Sequence, residues 1–366
     1  MNRPQALKLR NRRRQSRNLS SPSQQEEEYV DNVGEQRGQH VEPRTSVVRC
    51  SGKGGILLRS SLRFLMATAL CSILCGIGTS KGQTSAPFDK VGTETKAQQG
   101  DVNAMTKLGE AYWGKQGIPA DYEKGRMWLE RAAEGGSIEA RMFLGAAHMS
   151  GYGIPKNDDL ASKYLLQVAD APDVESKYRG SQALAQYWIA MKYENGRGLE
   201  KSHEKAIKYL QLAANNGNYP AQFDLGSLYN DGAGGLPMNK AIACEWFEKA
   251  ADQGHPKAMH NTGYCYQVGT GGKTDVEKAI HYYSLAAEGG LTNSQHNLGM
   301  LYGTQGNAEK AYFWLRIAQS NGYTEDASRF DSVKARMTAS QLEQEERDIA
   351  VWLDGHKAKT QTKTVP

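Results

Sequence analysis

From residue 104 onward, small and apolar residues return at spacings of 3, 4 and 7, the period of one helical face. One pattern reads AxxxLGxxY. It occurs as Ala104-Leu108-Gly109-Tyr112, Ala140-Leu144-Gly145-His148 and Ala185-Ile189-Ala190-Tyr193. It returns as Ala221-Leu225-Gly226-Tyr229, Ala258-Thr262-Gly263-Tyr266 and Ser294-Leu298-Gly299-Tyr302. The first positions lie 36, 45, 36, 37 and 36 residues apart. A second pattern follows each copy: a small residue, an aromatic three further on, and a small or apolar residue four beyond that. The sets are Gly125-Trp128-Ala132, Ala161-Tyr164-Val168, Ala206-Tyr209-Ala213, Ala243-Trp246-Ala250, Ala279-Tyr282-Ala286 and Ala311-Trp314-Ala318. The two patterns predict six helix pairs.

Small residues at the inner positions let two antiparallel helices approach closely, and the aromatic fills the space between neighbouring pairs. Gly136, Gly217, Gly254, Gly290 and Gly322 stand where the second helices should end. Glycine loops such as Gly151–Gly153 and Gly196–Gly198 separate the two helices of a pair. One pair cannot bury its apolar stripe alone, so the pairs are expected to stack into an all-α solenoid. The tyrosines Tyr112, Tyr193, Tyr229, Tyr266 and Tyr302 are expected in its core.

These residues resemble the SEL-one-like repeat (SLR) family, a branch of the tetratricopeptide superfamily. Tetratricopeptide repeats run 34 residues. The 36-residue period, the glycine loops, the ending Lys249–His255 and the run Lys278-Ala279, Tyr282-Tyr283, Ala286–Gly290 all point to the SLR branch. The resemblance covers about residues 97–322. It implies a right-handed α-solenoid of about six stacked SLR/TPR-like helix-turn-helix repeats. It also implies a non-enzymatic scaffold holding a protein or peptide partner on its concave face, and family members in bacteria are often exported. The alternative it raises is a cell-envelope hydrolase or β-lactam-interacting protein, as in the cysteine-rich branch, which bridges each repeat with a cysteine pair; this chain lacks those pairs.

Two departures from the pattern matter. Nine extra residues lie between Val168 and Ala185, where Pro172-Asp173 predicts an early, protruding start to the first helix of repeat three. The last repeat has its loop trimmed to Gly303–Gly306. Beyond it, Thr324–Met337 and Ser340–Leu353 predict two capping helices, the second with a capping box at Ser340–Glu343. The expected organisation is a basic disordered segment 1–63, an apolar segment 64–80, the solenoid 87–322, the cap 323–356 and a flexible tail 357–366.

Charge separates the N-terminal segment from the rest. Residues 1–63 hold 13 Lys/Arg against 6 Asp/Glu, and the remainder holds 32 against 34. The formal +5 therefore belongs to a segment with almost no apolar residues, and no nucleic-acid partner is expected, since a nucleic-acid-binding fold carries its basic stripe on the fold itself. Phe64–Gly78 is uncharged and has the length of a signal-peptide core, with Arg59 and Arg63 before it and a loose small-x-small site at Thr84–Ala86. Either translation begins nearer Met66, or 64–80 is an uncleaved signal-anchor. Both imply export or membrane anchoring through 64–80. With five cysteines in 366 residues the chain is no disulfide-dense scaffold.

No HExxH, GxxxxGK[ST], GxSxG or paired CxxC occurs, and no cofactor or metal is expected. Past the apolar segment stand Cys244 and Cys265, either small buried hydrophobes or a disulfide joining neighbouring helices. In tetratricopeptide-type arrays the first helices face the concave side. Positions +2, +3, +6 and +9 from each repeat's alanine are then expected to line the groove. They are Tyr187, Trp188, Met191 and Glu194; Phe223, Asp224, Ser227 and Asn230; His260, Asn261, Tyr264 and Gln267; and His296, Asn297 and Met300. Amides can hold an extended backbone and aromatics can anchor it.

Overall fold

The computed structural model describes residues 88–172, 174–272, 274–324 and 327–362, with side chains except at 327–328 and 357–362. The expected basic segment 1–63, the apolar segment 64–80 and the loose site at 84–86 lie outside them. All described residues belong to one compact unit, Thr45–Pro366. Among them there are fifteen α-helices and no strand.

The helices start where short polar side chains can replace a missing backbone partner. Asp101, Asp121, Ser137, Asn157, Ser202, Asn218, Asn239, Asp275 and Asn307 each accept a hydrogen bond from a backbone N–H of the following turn. After a leading helix α1 (Lys90–Gln98), the six pairs follow in chain order. Repeat one is α2 (Val102–Glu110), extended by a wide turn Ala111–Lys115, with α3 (Tyr122–Glu134). Repeat two is α4 (Ile138–Ser150) with α5 (Asp158–Ala169), and repeat three α6 (Arg179–Asn195) with α7 (His203–Asn215). Repeats four, five and six are α8 (Tyr219–Asp231) with α9 (Lys240–Asp252), α10 (Pro256–Val268) with α11 (Val276–Glu288), and α12 (Thr292–Thr304) with α13 (Ala308–Ser320). The cap is α14 (Ala327–Lys334) and α15 (Ala339–Thr362).

Close approach within a pair is set at the glycine of the Leu-Gly motif. A methyl group at Gly226 would lie 2.8 Å from the Phe247 ring, and one at Gly263 2.8 Å from the Tyr283 ring. The second helix therefore lays a large side chain directly over the backbone of the first. The alanines Ala206 and Ala279 are buried as the pattern requires. Ala279→Leu, which forces three further heavy atoms into that contact, is expected to cost about 1–3 kcal/mol. Thermal unfolding against the exposed loop variant Glu200→Ala checks this; equal midpoints would contradict the close-approach assignment.

Consecutive pairs are pinned by a polar ladder absent from the sequence reading. Gln186, Gln222 and Gln295 occupy the position after the repeat's small residue. Their Nε2 atoms donate to the carbonyls of Ala169, Ala214 and Ala287 in the preceding second helix, at 3.0, 3.1 and 3.1 Å. Their Oε1 atoms accept from Asn216, Gln253 and Asn321, at 2.8, 2.8 and 3.0 Å. Those three residues close the second helix of the same repeat. Each glutamine thus ties three helix ends together. The aromatic pattern repeats as well: His148 stacks on Tyr164, Tyr193 on Tyr209 and Tyr266 on Tyr282. Tyr112 and Tyr193 are core residues, whereas Tyr229, Tyr266 and Tyr302 are half-buried.

The departures fall partly elsewhere than expected. Pro172 does not start a helix. The insertion forms a loop with one 3-10 turn, Ser176–Tyr178, held by Gln182 Nε2 donating to the Ala171 carbonyl at 2.8 Å. The first helix of repeat three does begin early, at Arg179. The capping box sits two residues before the expected one. Thr338 N–H donates to Gln341 Oε1 at 2.8 Å and Gln341 N–H to Thr338 Oγ1 at 3.3 Å, so threonine and glutamine supply the box that serine and glutamate were expected to supply. From there α15 runs to Thr362, through residues expected to be a tail from 357, because no proline interrupts it. The cap is fixed to the last repeat by Tyr312 donating to Glu346 Oε1 at 2.6 Å.

Candidate functional site

Positions +2, +3 and +6 of the first helices are all buried in repeats two and three and partly open in repeats four to six. In the closed stretch α4 and α6 touch directly. Met142, Phe143, Tyr187, Trp188 and Met191 are buried between them and their neighbours. Tyr187 and Glu194, expected in the groove, are therefore not surface residues. Large side chains fill the space that a groove would need. Glu194 is buried with Oε2 2.7 Å from His203 Nδ1.

His260 and Asn261 need the same correction. His260 is fully enclosed, its Nδ1 2.8 Å from Ser294 Oγ and its ring against Tyr283. Asn297 is also buried, donating from Nδ2 to the Tyr283 hydroxyl at 3.3 Å. That hydroxyl donates in turn to Gln267 Oε1 at 2.8 Å. His260 and Asn297 are thus joints between repeats. The reason is that successive first helices pack side by side, so a residue polar in type can be interior in place.

Asn261 is 1% exposed, and neither its amide nitrogen nor its amide oxygen has a hydrogen-bond partner. Register explains why. Asn297 is satisfied by Tyr283, four residues after Ala279; the equivalent residue one repeat earlier, four after Ala243, is Phe247, which has no hydroxyl. Phe247→Tyr is expected to stabilise the fold by about 1 kcal/mol by supplying that bond. Chemical denaturation checks this, and a destabilised variant would show that the two repeats are not equivalent there.

What stays accessible is a floor of half-buried residues: Asp224, Ser227, Asn230, Tyr264, Gln267, His296 and Met300. Asn230 donates from Nδ2 to Asp231 Oδ1 at 2.8 Å, and the His296 ring stacks on Tyr323 at 4.1 Å. Asp224 Oδ2 accepts from the Tyr187 hydroxyl at 2.9 Å. Burial pushes the Asp224 carboxyl up to about 7, against the opposing pull of the Tyr187 hydrogen bond and of Lys257. Nearby His255 caps α10 by accepting from the Ala258 N–H at Nδ1, and its ring stacks on Phe223 at 4.3 Å. Burial, helped by Lys257, holds His255 down at about 4.

The two groups act on stability with opposite signs. His255 binds its proton more weakly folded (about 4) than unfolded (6.5), so its contribution is lost as pH falls through that window. Asp224 binds its proton more tightly folded (about 7) than unfolded (3.8), so its contribution is lost as pH rises from about 4 to 7. Asp224→Asn is expected to raise the melting temperature at pH 8 and to remove the loss of stability that Asp224 causes between pH 4 and 7. His255→Asn, which keeps a capping oxygen as Asn218 does in the preceding repeat, is expected to flatten the acid limb. Melting temperatures across pH 4–8 check both, and unchanged slopes would contradict the assignment.

Cys244 in α9 and Cys265 in α10 are joined by a disulfide, with Cα atoms 5.9 Å apart. The bond links repeat four to repeat five, beside the open floor. Among the described residues no group of three or more His, Cys, Asp and Glu side chains is placed to hold a metal, and no helix is long and apolar enough to cross a membrane. Sequence reasoning missed His255 and Tyr283 as organising residues. A signal for Tyr283 existed: it is the one tyrosine at a position otherwise held by Leu129, Leu165, Leu210, Phe247 and Leu315.

The family model described as "Sel1 repeat" matches residues 102–137, 138–173, 183–218, 220–255, 256–291 and 292–323. Among solved structures, a Sel1 repeat protein from Oxalobacter formigenes is similar at 27% identity and TM-score 0.50, over 71% of this chain and 73% of that one. The protective antigen c5321 of uropathogenic Escherichia coli, displaying an SLR fold, is 23% identical with TM-score 0.34, over 75% and 74%. Immunity protein Pa5087 from Pseudomonas aeruginosa is 20% identical with TM-score 0.33, over 64% and 80%. No curated protein matches the chain.

Proposed function

The chain belongs to the Sel1 repeat family, whose repeats generally mediate protein–protein interaction, and we propose that it is an exported or membrane-anchored scaffold that holds a peptide or protein segment on the inner face of repeats four to six. The observation that carries this is the change along one face of the solenoid. The position six residues after the repeat's small residue is shut at Ala146 and Met191 in repeats two and three. It is half-open at Ser227, Tyr264 and Met300 further on. The open stretch offers an aromatic anchor with amide and hydroxyl groups around it, the composition from which interface hot spots are built. Export through the apolar segment 64–80 is supported by the Cys244–Cys265 disulfide, since such bonds persist in oxidising compartments.

The test uses a partner recovered with the full chain as bait. Titration calorimetry is expected to show Tyr264→Ala and Gln267→Ala each weakening binding by about 1–2 kcal/mol. Arg131→Ala, exposed on the second helix of repeat one, should change it little. Weakening by Arg131→Ala alone would place the partner on the outer face. Alkylation of the protein isolated from fractionated cells tests export: free thiols at Cys244 and Cys265 in a cytoplasmic fraction would contradict it.

A further inference from the structure

Asp224 is the acid among the half-buried floor positions, and its carboxylate is in no ion pair among the described residues. Its Oδ2 accepts from the Tyr187 hydroxyl at 2.9 Å. Tyr187 is itself buried, so the donor is held in place. Among the described residues no cation pairs with Asp224; Lys257 acts on it only at a distance. No lysine or arginine stands among the half-buried floor positions Ser227, Asn230, Tyr264, Gln267, His296 and Met300. An acidic segment crossing this floor would meet only repulsion from the carboxylate, whereas a cation would relieve a desolvated one. The carboxyl's upward displacement to about 7 agrees with that: burial outweighs the Tyr187 hydrogen bond and the distant Lys257, so the ionised form is compensated only in part.

We propose that Asp224 receives a cationic group of the bound segment, a lysine or arginine side chain or a free amino terminus, with the Tyr187 hydroxyl fixing the orientation of the carboxylate. This rests on the inner-face reading given above. It makes the partner's recognition element a basic residue within an otherwise neutral stretch.

The experiment selects binders from random 12-residue displayed peptides with the full chain. Selected peptides are then synthesised and titrated against wild type, Asp224→Asn and Tyr264→Ala at pH 8. Expected are peptides enriched in one basic position, at least tenfold weaker binding to Asp224→Asn, and no further loss when that basic residue is changed to methionine in the variant background. Asp224→Asn keeps an acceptor for Tyr187, and a melting temperature no lower than wild type separates lost binding from lost fold. Peptides with no basic preference that still lose affinity with Tyr264→Ala would overturn the cation site and leave the inner-face reading standing. Peptides indifferent to both variants, or no selected peptides, would overturn the inner-face reading and the cation site with it.

Discussion

Replacing Tyr283 with alanine is expected to destabilise the solenoid by about 3–5 kcal/mol, the range for removing a large enclosed aromatic. Tyr283 is fully buried and its ring lies over Gly263 of the partner helix. His260 packs against it from the first helix of the same repeat. Its hydroxyl serves Gln267 and Asn297, which belong to different repeats. The alanine variant therefore leaves a cavity within repeat five and strips polar partners from its junction with repeat six. Tyr283→Phe isolates the second part and is expected to cost about 1–2 kcal/mol, since the ring stays while two amides lose a partner. Urea unfolding followed by circular dichroism measures both. A Tyr283→Ala protein within 1 kcal/mol of wild type would show that repeats five and six are not joined through this side chain.

Breaking the Cys244–Cys265 disulfide is expected to cost about 3 kcal/mol in the chain-entropy view, given a sequence separation of 21 residues. The bond spans the junction between α9 and α10. The continuous core from Trp113 to Leu228 has ended there and smaller clusters take over. The crosslink thus ties two helices that also pack against each other across the repeat junction. Cys244→Ala with Cys265→Ala should shift the unfolding midpoint downward, and reduction of wild type should reproduce the shift. Identical transitions in oxidised and reduced protein would contradict the crosslink.

The helix pairs were legible because their information is local. The Ala/Leu-Gly/Tyr positions and the small residues opposite them fix the face, the spacing and the partner helix. Two features depend on neighbours at a distance of one repeat and were not legible in the same way. His260 and Asn261 read as groove residues because a single helix shows them outside its apolar stripe; only the adjacent first helix encloses them. The Gln186, Gln222 and Gln295 ladder was visible as a glutamine after the repeat's small residue, with Asn or Gln just before the terminal glycine. Its meaning appears only when three helix ends meet. The capping box was misplaced because Ser340–Glu343 and Thr338–Gln341 both satisfy the pattern, and the chain uses the one nearer the preceding turn. Tyr264, Gln267, Asp224, Asn230 and His296 are half-buried, while Tyr187, Glu194 and Asn297, expected beside them, are buried.

The central claim is that partners enter on the inner face of repeats four to six. Site-specific photo-crosslinking tests it most directly, with a photoreactive phenylalanine at position 264 or at position 131 of the full chain in the organism that makes it. A covalent partner adduct is expected from position 264 and none from position 131, with the same protein recovered when position 300 carries the probe. Adducts from position 131 without adducts from 264 or 300 would contradict it and move the binding surface to the outer helices.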